Sequence, residues 1–316
     1  MMTEAIIEPD RPIVDAHHHL YDRPGTRYLL DDFAADLDSG HAVVATVLVQ
    51  ARHGYDTAAG EQWAPVGETR FARRVAEAAG RRNIAAAVVP FAELTLGDAV
   101  RPVLDAHLTA GEGRVRGIRH ILAWDRNPAR LNPAYPTSEA MMDDIAFRAG
   151  FRHLAPLGLS FDAWVLYPQL PRLARLAADF PDTAIVVDHC GGPIMGDTDV
   201  FATWRTGMRA LAERSNVSVK LSGLGMPSAG FAKAERARDL AAAWRPWMET
   251  CIELFGAGRA MFASNFPADR PGHGYAMGWN AMKLVAAGAS DVEKDRLFRG
   301  TATRFYRLAT DQRRDH

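Results

Sequence analysis

The sequence predicts a (β/α)8 barrel, on three observations. Short apolar runs rich in Val, Ile and Ala alternate with longer amphipathic stretches from one end of the chain to the other, the rhythm of repeated βα units around a parallel sheet. The runs number eight: Pro12 to Asp15, Ala42 to Val49, Ile84 to Phe91, Val115 to Leu122, Leu159 to Val165, Ala184 to His189, Val217 to Leu221 and Ala260 to Ser264. The first leads into Asp15-Ala16-His17-His18-His19, where an open, doubly wound sheet would carry a glycine-rich phosphate turn.

Between these runs, apolar residues recur at three-and-four spacing over Val66 to Arg81, Ala99 to Thr109, Gln169 to Phe180, Phe201 to Arg214 and Ala234 to Phe255. That spacing predicts the outer ring of helices. The two longest irregular stretches are Ala51 to Pro65, with His53, Tyr55, Glu61 and Trp63, and Trp124 to Pro136. Each follows a strand, which predicts that both lie on the catalytic face of the barrel. No linker, low-complexity tract or repeat beyond the βα rhythm interrupts the chain. The expectation is a single domain over 1–316, with its core over about 12–308 and a frayed tail from Asp311 to His316.

Composition sets the function class. A chain of 316 residues, 48% hydrophobic and 24% charged, is ordinary globular material and excludes disordered and fibrous classes. A net charge of -1, from 37 basic and 38 acidic residues, offers no field to attract a polyanion, so nucleic acid is not expected as a partner. Cys190 and Cys251 lie far apart without CxxC spacing, which fits a reducing compartment. The acidic start Met1-Met2-Thr3-Glu4 leads into no signal-like or membrane-spanning run, so the chain reads as cytoplasmic, without a membrane partner. The expected partner is a small-molecule substrate; a homodimer is a fair expectation from the prevalence of closed symmetry, with no interface singled out.

The chemistry-bearing residues gather at strand ends. In a strand alternate residues share a face, so His17 and His19 point one way and His18 the other. Two imidazoles so held suit a divalent metal, and suit equally a metal-free site that polarises a carbonyl. Val187-Asp188-His189-Cys190-Gly191-Gly192-Pro193 closes an apolar strand on a third histidine and a turn that permits close backbone approach. Arg119 and Lys220 place cations within strands, where an unpaired charge is costly. They either hold a substrate carboxylate or pair with Asp15, Asp162 or Asp188 in a buried network. Asn265, closing the last strand in Ser264-Asn265-Phe266-Pro267-Ala268-Asp269-Arg270, is expected to project into the barrel mouth.

The runs Ile13-Val14-Asp15-Ala16-His17-His18-His19-Leu20, Gly117-Ile118-Arg119, Asp188-His189-Cys190-Gly191-Gly192-Pro193, Lys220-Leu221-Ser222-Gly223 and Ser264-Asn265-Phe266-Pro267 resemble the amidohydrolase-related family. That family includes fuconolactonase-like and pyrone-dicarboxylate lactonase-like barrel hydrolases. The resemblance spans about residues 12 to 308 and keeps the order of the motifs. It implies catalytic roles for His17, His19, His189 and Asn265, with His17, His19 and His189 as ligands where a metal is bound. Arg119, Lys220, Asp162, Arg270 and His53 are expected to contact substrate.

Asn265 stands where the family usually has an aspartate. An amide is neither a base near neutral pH nor an anionic ligand, so the expectation divides between one divalent ion, zinc or manganese, and a metal-independent site. With Asn265 donating a hydrogen bond to the oxyanion, His189 or His17 would activate water, and Asp188 or Asp269 would be less well placed carboxylates. The function expected is hydrolysis of a lactone or related cyclic ester of a small, carboxylated metabolite. A decarboxylase or hydratase of the same superfamily, or a retired ligand-binding barrel, are the alternatives.

Overall fold

A computed structural model describes residues 4–309, which leaves the tail from Asp311 outside the described residues. Eight parallel strands carry the fold: β1 (Ile13–His18), β2 (Val43–Val49), β3 (Ala87–Val89), β4 (Gly117–Ile118), β5 (Ser160–Ala163), β6 (Ile185–Val187), β7 (Val217–Leu221) and β8 (Ala260–Phe262). Strands β1 to β3 pair in one run and β4 to β8 in another. Two seams join the runs. A bridge between Val88 and Val115 links β3 to the approach of β4, with the Arg116 N–H on Val88 O at 3.0 Å. A bridge between His18 and Phe266 links β1 to the end of β8, with the Asn265 N–H on His17 O at 2.8 Å and the His19 N–H on Phe266 O at 2.7 Å. The sheet therefore closes, and the expected barrel forms with no free edge.

The barrel interior follows from the pleat. Val14, Ala16, Ala45, Val47, Val49, Ala87, Val89, Val186, Met261 and Ala263 pack together with Ala302, Tyr306 and Leu308 from the C-terminal segment. That segment enters from the end where the strands begin, since Arg307 donates to Gly158 O at 2.7 Å and to Arg116 O at 3.3 Å, both just before strands. A larger apolar layer lies between barrel and helices.

Five expected helices are present as Val66–Ala79, Arg101–Gly111, Leu170–Asp179, Val200–Ala212 and Ala237–Phe255. The sequence reading missed Leu30–Leu37, Ile145–Phe151 and Tyr275–Val285, and a hairpin pairing Tyr21–Arg23 with Thr26–Tyr28. Tyr275–Val285 buries most of its circumference, Asn280 and Lys283 included, so it has no clean apolar stripe to find. Strand β1 runs three residues beyond the expected Asp15, and its pairing slips between Asp15 and His18. β4 is shorter than the expected Val115 to Leu122, because the backbone leaves regular pairing after Ile118.

Candidate active site

The slip in β1 sorts the three histidines. His18 turns outward, stacking on Phe33 at 4.1 Å between centroids with Nε2 2.9 Å from Thr46 Oγ1. His17 and His19 converge inside, their Nε2 atoms 3.2 Å apart. Asp15 staples this stretch to β8: its buried carboxylate accepts from Ser264 N–H (2.9 Å), Ser264 Oγ (2.6 Å) and Tyr275 OH (3.1 Å). Burial pushes Asp15 up to about 6, against the pull of those donors.

His189 arrives on strained backbone. His189, Cys190, Gly191 and Gly192 have φ of 56°, 51°, 72° and 62°, and each non-glycine residue so placed costs on the order of 1–3 kcal/mol. Gly223 makes room: a Cβ there would lie 2.3 Å from His189 Cβ. The imidazole packs against Trp164 and His17, at 4.6 and 4.7 Å between centroids, and Nδ1 is 3.0 Å from Ser222 Oγ.

Beneath the histidines lies a charged cluster sealed from solvent. Lys220 Nζ is 2.5 Å from Asp162 Oδ2, 3.1 Å from Asp188 Oδ1 and 3.0 Å from His17 Nδ1. Tyr306 OH donates to Asp162 Oδ2 at 2.7 Å. Arg119 donates through Nη2 to Gln50 O at 2.7 Å, and its Nη1 stands 3.2 Å from His17 Nε2 and 3.9 Å from Asp188 Oδ2. Burial works against the Asp188 carboxylate, yet Lys220 and His17 hold it well below the usual range. Burial raises Asp162 despite Lys220. Burial pushes His17 and His19 far down, helped by Lys220 at His17 and Arg119 at His19, and pushes His189 down to about 4. All three imidazoles are therefore neutral near neutral pH.

Neutral imidazole has one N–H, which makes the tautomers readable. His19 Nδ1 donates to Val49 O at 2.9 Å, leaving Nε2 bare. With its proton on Nδ1 towards Asp188, 3.4 Å away, His17 would face that bare nitrogen with a second one. Two nitrogens each about 2.0–2.1 Å from a tetrahedral zinc lie about 3.3–3.4 Å apart, close to the 3.2 Å present here. His17, Asp188 and His189 also bring one donor atom each within 4.8 Å of one another. The donor set fits a divalent ion, with Asp188 joining the expected histidines. Arg119 approaches the same His17 Nε2, so guanidinium and metal compete for it. With its proton on Nε2, His17 instead donates to His19 and accepts from Lys220.

Asn265 is fully buried with φ 53°. Its Nδ2 donates to Asp269 Oδ1 at 2.7 Å, and Asp269 Oδ2 accepts from Gly225 N–H at 3.1 Å. With Nδ2 on Asp269, the amide turns Oδ1 away, buried and without a partner among the described residues. The expected donor to an oxyanion is thus committed to Asp269, and the free atom is an acceptor.

The structure brings together His17, His19, His189, Asn265, Arg119, Lys220 and Asp162. Lys220 and Asp162 are wholly inaccessible, as His17 and Asn265 are, and pair with each other beneath the histidines. Arg270 is not with them: it is exposed, 6.0 Å from the Tyr28 ring. His53 packs on Phe71 at 4.6 Å and accepts from Asp22 N–H at 3.3 Å, fastening the hairpin rather than facing the histidines. Sequence reasoning missed Tyr306, Ser222 and Gln50. No local signal marks Tyr306, whose partner Asp162 is 144 residues away.

Two hollows lie on the face of the barrel where the strands end. One of about 10 Å³, walled by Trp164, His189, Gly192, Gly223 and Met226, has the size that holds a single water. The other, about 560 Å³, opens among the loops after β2, β3 and β4.

A closed parallel barrel with paired histidines on its first strand and a third after its sixth defines a hydrolase of the amidohydrolase type. The chain belongs to that family: residues 14–308 match the Amidohydrolase family. An uncharacterised protein of Sinorhizobium fredii, y4mH, is 32% identical, with 95% of this chain and 99% of the relative covered. The L-fucono-1,5-lactonase of Burkholderia multivorans is 29% identical, covering 93% of this chain and 96% of that enzyme. A crystal structure of an amidohydrolase from Burkholderia multivorans with bound zinc superposes with a TM-score of 0.75 at 28% identity, covering 94% and 99% of the two chains. Among the described residues no helix is long and apolar enough to cross a membrane.

Proposed function

We propose that the protein hydrolyses a neutral, hydroxylated lactone of small size. The observation that carries this reading is that the site's cations are already committed: Lys220 lies between Asp162 and Asp188, and Arg119 is anchored on Gln50 O. Lys220 is closed to a substrate carboxylate, and Arg119, with Nη2 on Gln50 O and Nη1 at His17, can face one oxygen but does not form the two-point clamp that a carboxylated lactone or a decarboxylase substrate would need. The likeness to L-fucono-1,5-lactonase agrees with a neutral sugar-derived ring.

In this reading the lactone carbonyl lies over His17 and His19, with the Arg119 guanidinium facing the oxygen that becomes negative. Asn265 Oδ1, oriented by Asp269, accepts a hydrogen bond from the attacking water and aims its lone pair at the carbonyl carbon. Neutral His189 takes the proton as the new C–O bond forms, then delivers it to the ring oxygen as the old C–O bond breaks. The product hydroxy acid ionises near neutral pH and releases one proton per turnover. A divalent ion held by His17, His19 and Asp188 would supply Lewis-acid polarisation of the carbonyl and leave His189 free to take the proton.

The test is proton release from L-fucono-1,5-lactone and D-glucono-1,5-lactone, with metal content measured before and after chelation. We expect turnover of both lactones, and a loss of kcat of at least about 1000-fold in His17→Ala and His189→Ala with the unfolding midpoint little changed. Full activity in both variants, or carbon dioxide as product from a carboxylated substrate, overturns the proposal.

A further inference from the structure

The 560 Å³ cavity touches none of His17, His19 or His189; Arg52, Tyr55, Glu61, Glu93, His120 and Tyr135 are among its lining. Its lining lies close in sequence to residues of the site: His120 follows Arg119, and Arg52 lies two residues after Gln50. Its volume falls inside the roughly 300–1,000 Å³ of sites that enclose drug-sized molecules, so it has room for a ring beyond the one being opened.

Its chemistry is that of an acceptor surface. Arg52, the only cation among the lining residues, is a bracket: its Nη1 donates to Ala134 O, and its guanidinium sits 5.8 Å from the Tyr55 ring and 5.6 Å from the Tyr135 ring. Two carboxylates, Glu61 and Glu93, stand against that one cation. Glu93 uses Oε1 to cap Thr95 N–H at 3.2 Å, which leaves Oε2 for a ligand. Tyr55 OH is buried without a hydrogen-bond partner among the described residues, an arrangement that is unfavourable until something bonds it. His120 lies 3.8 Å from Glu93 Oε1 and is kept neutral by burial. Carboxylate and phenol oxygens beside aromatic rings repel an anion, and bind hydroxyl groups through charge-assisted hydrogen bonds.

We infer that this cavity is a second subsite, which takes a neutral polyhydroxylated ring attached to the reacting lactone, with Glu93 and Tyr55 reading its hydroxyls. The substrate class becomes a lactone bearing a further sugar unit, an inference that rests on the lactonase reading above.

Two measurements separate the subsite from that reading. In the first, kcat/KM is compared between D-glucono-1,5-lactone and the 1,5-lactones of cellobiose, maltose and lactose. At least one disaccharide lactone should be favoured about tenfold, and Glu93→Ala should erase that preference while leaving glucono-1,5-lactone within about twofold. A wild type that favours none of the three, or a preference that survives in Glu93→Ala, overturns the subsite. In the second, cellobiose, maltose and lactose are titrated calorimetrically into the wild type, Glu93→Ala and Tyr55→Phe. Binding weakened about fivefold or more in both variants supports the subsite even if no lactone is turned over, an outcome that would sink only the lactonase reading. Absence of binding by all three, or equal binding in the variants, overturns the subsite.

Discussion

The two sides of the barrel mouth are built in opposite ways. On the β1, β5, β6 and β7 side, Lys220, Asp162, Asp188 and His17 are wholly buried, with Lys220 within reach of the other three, and His189 is held on left-handed backbone. On the β2 to β4 side, Arg52 and Glu61 are exposed, the segments are loops, and carboxylate oxygens face open space. Fixed dipoles in a dry interior set reactivity and tolerate little change; loops on a rigid scaffold vary without unmaking the barrel. Changes on the first side should therefore cost fold and chemistry together, and changes on the second should alter choice of substrate.

The comparison breaks most visibly at Lys220. Replacing it with methionine leaves Asp162 and Asp188 buried together without their cation, which costs about 3–5 kcal/mol. Chemical denaturation of Lys220→Met should show that loss, and activity should vanish with it. Lys220→Met with Asp162→Asn should regain part of the stability, because one of the two stranded charges is gone. Equal stability of wild type and Lys220→Met would mean that Lys220 does not hold the two buried carboxylates as ion pairs.

A smaller effect is expected at Gly223, where an alanine Cβ would lie 2.3 Å from His189 Cβ on a backbone with φ 75°. Gly223→Ala should lose roughly 1–3 kcal/mol of stability and lower kcat about 100-fold by displacing the imidazole. Gly256→Ala is the control. It has φ 70° but nothing within 4 Å of its Cβ, so it should carry the backbone cost and leave kcat unchanged. Similar kcat in both variants would separate the His189 position from catalysis.

This division also explains what the sequence made legible. His17, His19 and His189 could be found because strand periodicity and strand ends are local properties. Lys220 and Arg119 were visible as cations, but whether they were free or paired depended on partners tens to hundreds of residues away. Asn265 could be located at the end of the last strand but its hydrogen bonding could not be read, since the Asp269 clamp needs the turn after β8 to form. The loop from Ala51 to Pro65 was expected on the catalytic face. Its role as one wall of a cavity could not be read, because the other walls come from the loops after β3 and β4.

Glu68 ties the loop side to the scaffold and offers the finest test of the contrast. Its buried carboxylate accepts from the N–H groups of Ala51 (2.6 Å), Arg52 (3.3 Å) and His53 (3.0 Å), yet burial outweighs these donors and pushes it up to about 7 from an ordinary 4.5. The folded protein thus holds this proton more tightly than the unfolded chain. The stability it contributes is complete below about pH 4.5, falls as pH rises and is gone above about pH 7, roughly 3 kcal/mol in all. Relative to Glu68→Gln, which cannot titrate, the wild type should lose stability across that window and run parallel to it above. The two curves should be read by urea denaturation at half-unit pH steps. Parallel curves throughout would mean that the three N–H donors keep Glu68 ionised, making the loop anchor as fully charged as the cluster beneath the histidines.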